Sequence, residues 1–533
     1  MAEEADSSEQ PRISRAVSLA DLTLLASVFL IAACGLVYEL AAGALASYLI
    51  GDSITQFSTV IGCYLAAMGL GSWLSRFVER QLVAVFLRVE LLVGLIGGLM
   101  PAVLFWAFNQ GPASAGLPAF RVLLVVLVIT VGTLVGLEIP LVMRILRQHA
   151  GPGGVALKDL VAQVLTFDYL GALGVSLAFP LVLVPHLGLI RTGLLFGLLN
   201  AAVAIWALWM FRGELRRLRA HALACAGVLL TLAAAMTQAD RLTTWAEERF
   251  YGERILFRTS SAYQRIVISE SQAGLRLFLN GNLQFHERDE YRYHEALVHP
   301  AMSAHGAPKQ VLVLGGGDGL AVREILKYPS VEQVTLVELD PEMTGLFTRH
   351  PRLHALNADS LSSPKLQIVH ADAFGWLESR PDRYWDVIVI DFPDPSNFAI
   401  GKLYTTSFYQ VVDQHLAAGG YAVIQTTSPL LARRSFWTVV TTLEAVGLQT
   451  HPYHAHVPSF GEWGFILASH RPWHEPDPPR LPAGLKFLTP AGLAALGEFP
   501  PDMARVPAEP NRLSDQGLVR IFEQEWGRVH PGS

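Results

Sequence analysis

The sequence predicts two architectures in one chain: a multi-pass α-helical membrane domain, then an α/β Rossmann-like domain preceded by a small antiparallel β-sheet. Three observations predict them. Apolar stretches long enough to cross ~30 Å of hydrocarbon recur between about Leu22 and Met236. From Gln310 onward, apolar runs of four to six residues alternate with helix-length segments. Between the two, strand-like runs lead to an Asn280-Gly281 turn.

Composition agrees. Hydrophobic residues make up 51% of the 533 residues and charged residues 16%, an apolar excess carried by the first half. The expected boundaries are an N-terminal tail over 1–16, a transmembrane domain over 17–240, a small β domain over 241–305, a Rossmann-like domain over 306–472 and an extension over 473–533. A net charge of −6 gives no basic footprint for nucleic acid. Cys34, Cys63 and Cys225 all lie in apolar segments, so the soluble half has no disulfide framework and no Cys-based metal site. The first apolar run exceeds a signal-peptide core and continues into further spans, so it is read as a retained helix.

Windows near 20–40, 57–75, 85–108, 121–143, 166–187, 190–211 and 221–237 give about seven spans, the last short. Gly132/Gly136 and Gly193/Gly197 have the spacing that lets helix backbones approach closely. Glu39, Glu90, Glu138 and Asp168 fall in or at the ends of these windows, where a carboxylate facing lipid is costly. They read either as a cation-binding site or as structural groups paired with Arg88 and Arg121, and the lack of an ordered path of acids favours pairing. Arg12 and Arg15, Arg76 and Arg80, Arg144, Arg147 and Lys158, and Arg212, Arg216, Arg217 and Arg219 occupy alternate loops, which puts the N-terminus inside. Seven spans would then put the second half of the chain outside.

In the soluble half, QRIVIS (264–269) and LRLFL (275–279) precede the turn. The apolar runs VLVL (311–314), VTLVEL (334–339), LQIV (366–369), DVIVID (386–391) and YAVIQ (421–425) read as strands of a parallel sheet covered on both faces. In such a sheet ligands bind beyond the strands' carboxyl ends. Gly315-Gly316-Gly317-Asp318-Gly319 follows the first strand, so backbone N–H groups of Gly315 and Gly317 can approach a ligand. Glu338 closes the second, at a position suited to ribose hydroxyls. Asp372 follows the third, and Asp391 and Asp394 follow the fourth. No phosphate-binding lysine follows the glycines, which excludes a Walker-type loop. Asp318 and Asp394 would repel a pyrophosphate, whereas an adenosyl sulfonium fits.

The blocks SAYQRI (261–266), LNGNLQFHERDEYRYHEALVHP (279–300), VLVLGGGDGLAVREILK (311–327), TLVELD (335–340), HADAF (370–374), DVIVIDFPDPSN (386–397), LYTTSFY (403–409), IQTTSP (424–429) and FGEWGFILAS (460–469) resemble the spermidine synthase (polyamine aminopropyltransferase) family. With the multi-span first half, the chain is similar to that family's membrane-bound bacterial branch. The resemblance implies a class I methyltransferase-like fold. It also implies transfer of the 3-aminopropyl group of decarboxylated S-adenosylmethionine, a co-substrate, to putrescine, giving spermidine and 5′-methylthioadenosine without a metal or other cofactor. By motif match Asp391 is the base and Tyr293 orients the amine. Gln264, Gln284, His294, Gly315, Gly317, Asp318, Glu338, Asp372 and Ala373 hold the donor; Asp394, Gln425 and Phe460 lie at the acceptor. Asp318 matches the acid that holds the donor's ammonium and would repel the carboxylate of ordinary S-adenosylmethionine. Phe392-Pro393 stands where many soluble members have two small hydroxyl residues, Phe460 stands near an amine-contacting tyrosine, and Asn280 replaces an aspartate, so the acceptor pocket is more apolar than usual. The expected partners are these small molecules and a lipid bilayer, with self-association common in the family and no nucleic acid. The expected location is the cell's inner membrane, the catalytic half leaning cytoplasmic on substrate grounds against the arginine distribution. A polyamine transporter or sensor with a ligand-binding second half, and a methyltransferase, are the alternative functions.

Overall fold

The computed structural model describes residues 19–50, 53–108, 113–149, 157–380, 382–473 and 480–529. The tail expected over 1–16, with Arg12 and Arg15, lies outside the described residues. Two compact units are present: one gathers the chain to Gly43, Thr59–Leu104 and Val122–Asp240, the other Ala44–Ser58, Phe105–Arg121 and the chain from Arg241.

The helical unit is carried on α1 (Leu19–Ile50), α2 (Ser53–Leu74), α3 (Leu82–Phe108), α4 (Ala113–His149), α5 (Leu157–Ala178), α6 (Val184–Met210) and α7 (Leu218–Tyr251). Among the described residues, six segments are long and apolar enough to cross a membrane by length and composition. One of them, Lys158–Met210, has 53 residues. At ~1.5 Å rise per residue it is about 80 Å long, more than twice the hydrocarbon thickness. Its backbone leaves helical geometry at Gly188 (φ 72°, ψ 172°), between the windows expected at 166–187 and 190–211. The final segment, expected to be short, runs 28 residues from Leu218 to Trp245. The two glycine pairs do mark close helix approaches. A Cβ on Gly197 would sit 2.6 Å from the Gly94 carbonyl oxygen, and one on Gly136 would collide with the Met68 backbone.

The expected pairing of the buried acids is not found. Glu90 and Glu138 are buried with no hydrogen-bonding partner among the described residues, while Arg88 and Arg121 lie exposed.

The second unit begins with a four-stranded antiparallel sheet in the order β1 (Arg254–Ser260), β2 (Arg265–Ser271), β3 (Gly274–Leu279), β4 (Asn282–His286). Asn280 and Gly281 both take positive φ, 50° and 86°, the left-handed pair that a two-residue hairpin turn between twisted strands demands. β1 was not anticipated, because α7 runs past the expected boundary to Tyr251.

α8 (Glu290–His305) leads into the main sheet: β5 (Gln310–Gly315), α9 (Leu320–Ile325), β6 (Gln333–Glu338), α10 (Pro341–Arg349), β7 (Leu366–His370), β8 (Trp385–Asp391), β9 (Leu416–Thr426), β10 (Gln449–Val457) and β11 (Gly461–Ser469). The strand order is β10-β11-β9-β8-β5-β6-β7. The expectation of a parallel sheet holds for β5 to β9. β11 runs antiparallel to both β9 and β10, because the short turn after Val457 leaves no length for a crossover. Alternation along the central strands divides the core into two layers. Val311, Val313, Val387 and Val389 pack on the α8–α10 side; Leu312, Leu314, Ile388 and Ile390 pack with helices Ala373–Glu378, Thr406–His415 and Arg433–Ala445. Each such side chain stabilises the fold by about 1.5–3 kcal/mol when fully buried. The chain leaves β5 toward β6 and β7, then returns to β8 on β5's other side, which opens a crevice at the carboxyl ends of β5 and β8.

The extension wraps this unit. The buried Glu295 carboxylate accepts the backbone N–H groups of Lys486, Phe487 and Leu488 at 2.8, 2.9 and 2.9 Å. Trp437 Nε1 donates to the Met503 carbonyl at 3.0 Å, and Asn511 Nδ2 donates to the Tyr404 carbonyl at 2.9 Å. The weak helical pattern expected around Gln516–Trp526 is a helix over Gly517–Val529. Its Glu525 accepts from the N–H groups of Arg434 and Ser435, both at 2.9 Å, which satisfies free donors at the start of helix Arg433–Ala445.

Candidate active site

The glycine loop is shaped by what it must pass. Gly315 pairs with Asp391 across β5 and β8 and has φ 79°, a conformation costly for a residue with a Cβ. A Cβ on Gly317 would lie 2.8–2.9 Å from the Glu338 carboxyl group, so only glycine lets the loop close on that side chain. Gly317 N–H instead donates to Glu338 Oε2 at 3.1 Å, and Asp340 N–H donates to Oε1 at 2.9 Å. Burial pushes Glu338 up to about 7, against these two hydrogen bonds. Each of its oxygens keeps acceptor capacity, as a ribose diol requires. Gln264 reaches the same corner: its amide donates to Asp340 Oδ2 at 2.9 Å, beside the Ser261 hydroxyl at 2.7 Å.

Asp372 caps helix Ala373–Glu378 through the Gly375 N–H at 3.1 Å and pairs with Lys402 at 2.6 Å. Burial raises its pKa, but the Lys402 and backbone hydrogen bonds outweigh that and hold it below the usual carboxylate range. Ala373 is the buried first residue of that helix. Gln284 stands apart. Its amide turns back on the Asn282 and Leu283 carbonyls at 3.2 and 3.4 Å, and among the described residues it bonds none of the other predicted groups.

The centre of the crevice joins α8 to β8. Tyr293 donates its hydroxyl to Asp391 Oδ1 at 2.6 Å, with Tyr293 buried and Asp391 half-buried. Burial pushes Asp391 up to about 6; the Asp318 charge adds to the rise, while His294 and the Tyr293 hydrogen bond oppose it. Asp318 accepts from the Leu320 N–H at 2.9 Å, and burial raises it too, against the charge of His294. His294 Nδ1 lies 2.9 Å from Glu290 Oε2, and Glu290 receives a two-pronged bond from Arg323 at 3.0 and 2.9 Å. Burial lowers the His294 pKa, but Glu290 reverses the sign and leaves it raised. The result is a cluster of acids steadied by one histidine, suited to a cationic ligand.

On the side expected to take the acceptor, Asp394 Oδ1 is buried without a hydrogen-bonding partner among the described residues. Burial pushes this carboxyl up to about 7, with Thr427 and Gln425 opposing. Gln425 also serves as scaffolding. Its Nε2 donates to the Phe392 carbonyl and, at 3.3 Å, to the Tyr404 hydroxyl, and its Oε1 accepts from Trp463 Nε1 at 3.1 Å. Tyr404 in turn donates to the Pro393 carbonyl at 3.1 Å, so the loop carrying Asp391 and Asp394 is pinned from below. Phe460 sits on the β10–β11 turn with its ring 6.3 Å from Tyr293 and 5.0 Å from Trp463. Asp289, just before α8, ties that turn down through the Ser459 N–H at 2.7 Å and hydroxyl at 2.8 Å.

Sequence reasoning missed several of these groups. Tyr404, Thr427 and Trp463 lie inside the motif blocks already quoted, and Lys402 directly precedes one, but nothing in their type points to a role. Trp526 had no such signal: it donates its indole N–H to the Thr427 hydroxyl at 3.0 Å from the C-terminal helix, 99 residues away.

Residues 290–475 match the spermine/spermidine synthase domain. The chain is 53% identical over 531 residues to polyamine aminopropyltransferase 1 of Ralstonia nicotianae, covering 98% of each chain. It is 48% identical over 506 residues to the polyamine aminopropyltransferase of Leptospira interrogans, covering 94% of this chain and 98% of that one. A crystal structure of spermidine synthase in complex with the transition state analogue AdoDATO is 28% identical, covering 46% of this chain and 86% of its own, with a TM-score of 0.44. With identity at this level along almost its whole length, the chain belongs to the spermine/spermidine synthase family of polyamine aminopropyltransferases.

Proposed function

We propose that the chain transfers the 3-aminopropyl group of decarboxylated S-adenosylmethionine to putrescine, yielding spermidine and 5′-methylthioadenosine. The observation that carries this reading is the 2.6 Å Tyr293–Asp391 hydrogen bond at a carboxyl group pushed up to about 6. Putrescine arrives protonated, its amines resembling lysine with a pKa near ~10.4, and an ammonium has no lone pair with which to attack. Asp391 takes one proton from it. The freed lone pair then forms the new N–C bond at the aminopropyl carbon bound to sulfur. The C–S bond breaks, and its electrons neutralise the sulfonium. No cofactor is needed, because the leaving group arrives already activated.

Glu338 and Gln264 serve the ribose corner, Asp372 and Ala373 the adenine end, and Asp318 the ammonium of the donor's aminopropyl arm. Asp394, with an unpartnered buried oxygen, holds the distal ammonium of the acceptor. Gln425 acts through the Phe392 carbonyl that it fixes. The decisive experiment is release of methylthioadenosine from the decarboxylated donor by the full chain, with Asp391→Asn as control; equal turnover by that variant removes Asp391 as the base. A methyltransferase reading predicts tighter binding of S-adenosylmethionine than of its decarboxylated form, the reverse of what a buried Asp318 favours.

The helical unit is proposed to cross the cell membrane with the catalytic half on the cytosolic side, where a nucleoside donor is made. From an inner N-terminus an even number of crossings has that outcome, which the six candidate segments satisfy if Lys158–Met210 crosses once. Protease added to intact cells should leave the catalytic half uncut. Cleavage there would mean that the segment crosses twice around Gly188.

A further inference from the structure

The helical unit buries a second group of polar side chains that the transfer reaction does not use. Glu90 on α3 and Glu138 on α4 are fully enclosed, and none of their four carboxyl oxygens has a hydrogen-bonding partner among the described residues. The two carboxyl groups interact electrostatically with each other, and the Tyr38 hydroxyl on α1 interacts with both. That hydroxyl is also enclosed and unpartnered. So is the whole side-chain amide of Asn200 on α6. Its Cβ lies 3.1 Å from where a Cβ on Gly94 would be, and Gly94 is one turn along α3 from Glu90. The Tyr38 ring lies 2.9 Å from the corresponding point at Gly97, on the same helix. Neighbouring polar groups are satisfied: Tyr64 donates to the Gly35 carbonyl at 2.8 Å, and the Cys34 thiol donates to the Phe196 carbonyl at 3.5 Å. The unpartnered set is therefore selective, comprising two acids, a phenol and an amide contributed by four different helices.

We infer that Glu90, Glu138, Tyr38 and Asn200 form a binding site for a primary alkylammonium cation inside the helical unit, separate from the acceptor site of the α/β half. The donor and acceptor inventory selects that class. Tyr38 supplies one O–H and Asn200 two N–H groups, against four carboxyl oxygens and the two oxygens of Tyr38 and Asn200 themselves. Acceptors outnumber donors even with both carboxyl groups protonated, and a bound cation would let them ionise. An alkylammonium supplies what is lacking, three N–H donors and a positive charge, and its carbon chain suits apolar surroundings that include the Tyr38 ring. A transition metal does not fit, since the described residues contain no group of three or more His, Cys, Asp or Glu side chains able to hold one. The site has no opening in this structure, so entry requires helices to part. α3 and α6 meet backbone to backbone at Gly94, Gly98 and Gly197, with the Leu232 side chain of α7 packed beside Gly98 and Gly197. The inference rests on the helical unit alone, and its failure would leave the transferase reading untouched.

The test uses the full chain in lipid nanodiscs and the apolar carbodiimide dicyclohexylcarbodiimide, which modifies enclosed carboxyl groups, with labelling at Glu90 and Glu138 read by peptide mass spectrometry. Putrescine is expected to suppress labelling at both residues, while sodium chloride of equal ionic strength is not. Labelling unaffected by putrescine overturns the proposal, and equal protection by sodium chloride overturns it in favour of an inorganic cation. A second measurement covers poor labelling: equilibrium dialysis of radiolabelled putrescine against the chain carrying Asp391→Asn and Asp394→Asn. One residual site should remain, and adding Glu138→Gln or Tyr38→Phe should weaken it by roughly tenfold or more, the loss expected for a charge-assisted hydrogen bond. Folding of each variant is checked by its melting temperature. Absence of the residual site, or its persistence unchanged in both variants, overturns the inference.

Discussion

Tyr293 and Asp391 are joined by a 2.6 Å hydrogen bond that ties the middle of α8 to the last residue of β8, 98 positions later in the chain. The bond stabilises the carboxylate and so lowers its pKa against the dominant effect of burial. Replacing Asp391 by Asn should cut kcat by about 10²–10⁴, the usual contribution of a positioned base. Tyr293→Phe should cost less and act differently. With the hydrogen bond gone, the acid limb of kcat/KM, centred near the Asp391 value of about 6, should move to higher pH. A pH profile of methylthioadenosine release checks both, and an unmoved limb in Tyr293→Phe would show that the bond does not tune the base.

The buried acids also make stability depend on pH. Asp391, Asp394 and Glu338 are pushed up to about 6, 7 and 7 from 3.8, 3.8 and 4.5. Between the ordinary and raised values the folded chain holds protons that the unfolded chain has released. Stability should therefore fall as pH rises through that window and level off above about 7. Melting of the ligand-free protein from pH 4.5 to 8.5 should show that slope, and Asp394→Asn should flatten part of it.

Asp318 should discriminate between donors. Asp318→Asn is expected to raise KM for decarboxylated S-adenosylmethionine by roughly ten- to a hundredfold, as for loss of a hydrogen bond to a charged group. It should also narrow the preference over ordinary S-adenosylmethionine, measured by competition binding. An unchanged preference would assign discrimination to another group.

The C-terminal helix reaches the proposed acceptor side through Trp526 and Thr427. A hydroxyl that accepts from an indole has its own proton free to point at Asp394, the carboxyl that Thr427 opposes burial in tuning. Trp526→Phe keeps the ring and removes the N–H. It should raise KM for putrescine by about two- to tenfold, the range for a neutral hydrogen bond, while leaving KM for the donor unchanged. Steady-state kinetics with each substrate varied in turn separates the two; equal changes in both would mean a general loosening of the fold.

The glycine loop gives the most localised prediction. Gly317→Ala would press a methyl group against the Glu338 carboxyl, 2.8–2.9 Å away, and displace the N–H that holds it. Donor affinity should fall about tenfold or more with little change in putrescine KM, read by titration calorimetry.

How much of this was legible in the sequence depends on whether the signal was local. The five parallel strands could be read because burial on both faces makes VLVL or DVIVID continuously apolar. β10 could not: QTHPYHAHV mixes histidines with apolar residues, since its partner β11 covers only one of its edges. The strand-end acids were legible because the topology collects them. The supporting shell was not, because Lys402, Trp463 and Trp526 acquire meaning only through contacts made across the fold. The intramembrane acids were visible, but pairing Glu90 or Glu138 with an arginine by sequence proximity failed. Helix rotation turns Arg88, two residues from Glu90, away from it, as neighbours two apart on a helix do not share a face.

The seating of Lys486–Leu488 on Glu295, and of Trp526 on Thr427, also orders events in time. Both segments follow the central sheet in the chain, so they are made after it. The sheet can form while they are still being made, but until they are complete the Glu295 carboxylate lacks its donors and Thr427 lacks its outer brace. A chain made only as far as β11 would therefore carry the acids of the crevice without its finished shape, and competence to transfer would arrive only once Trp526 is seated.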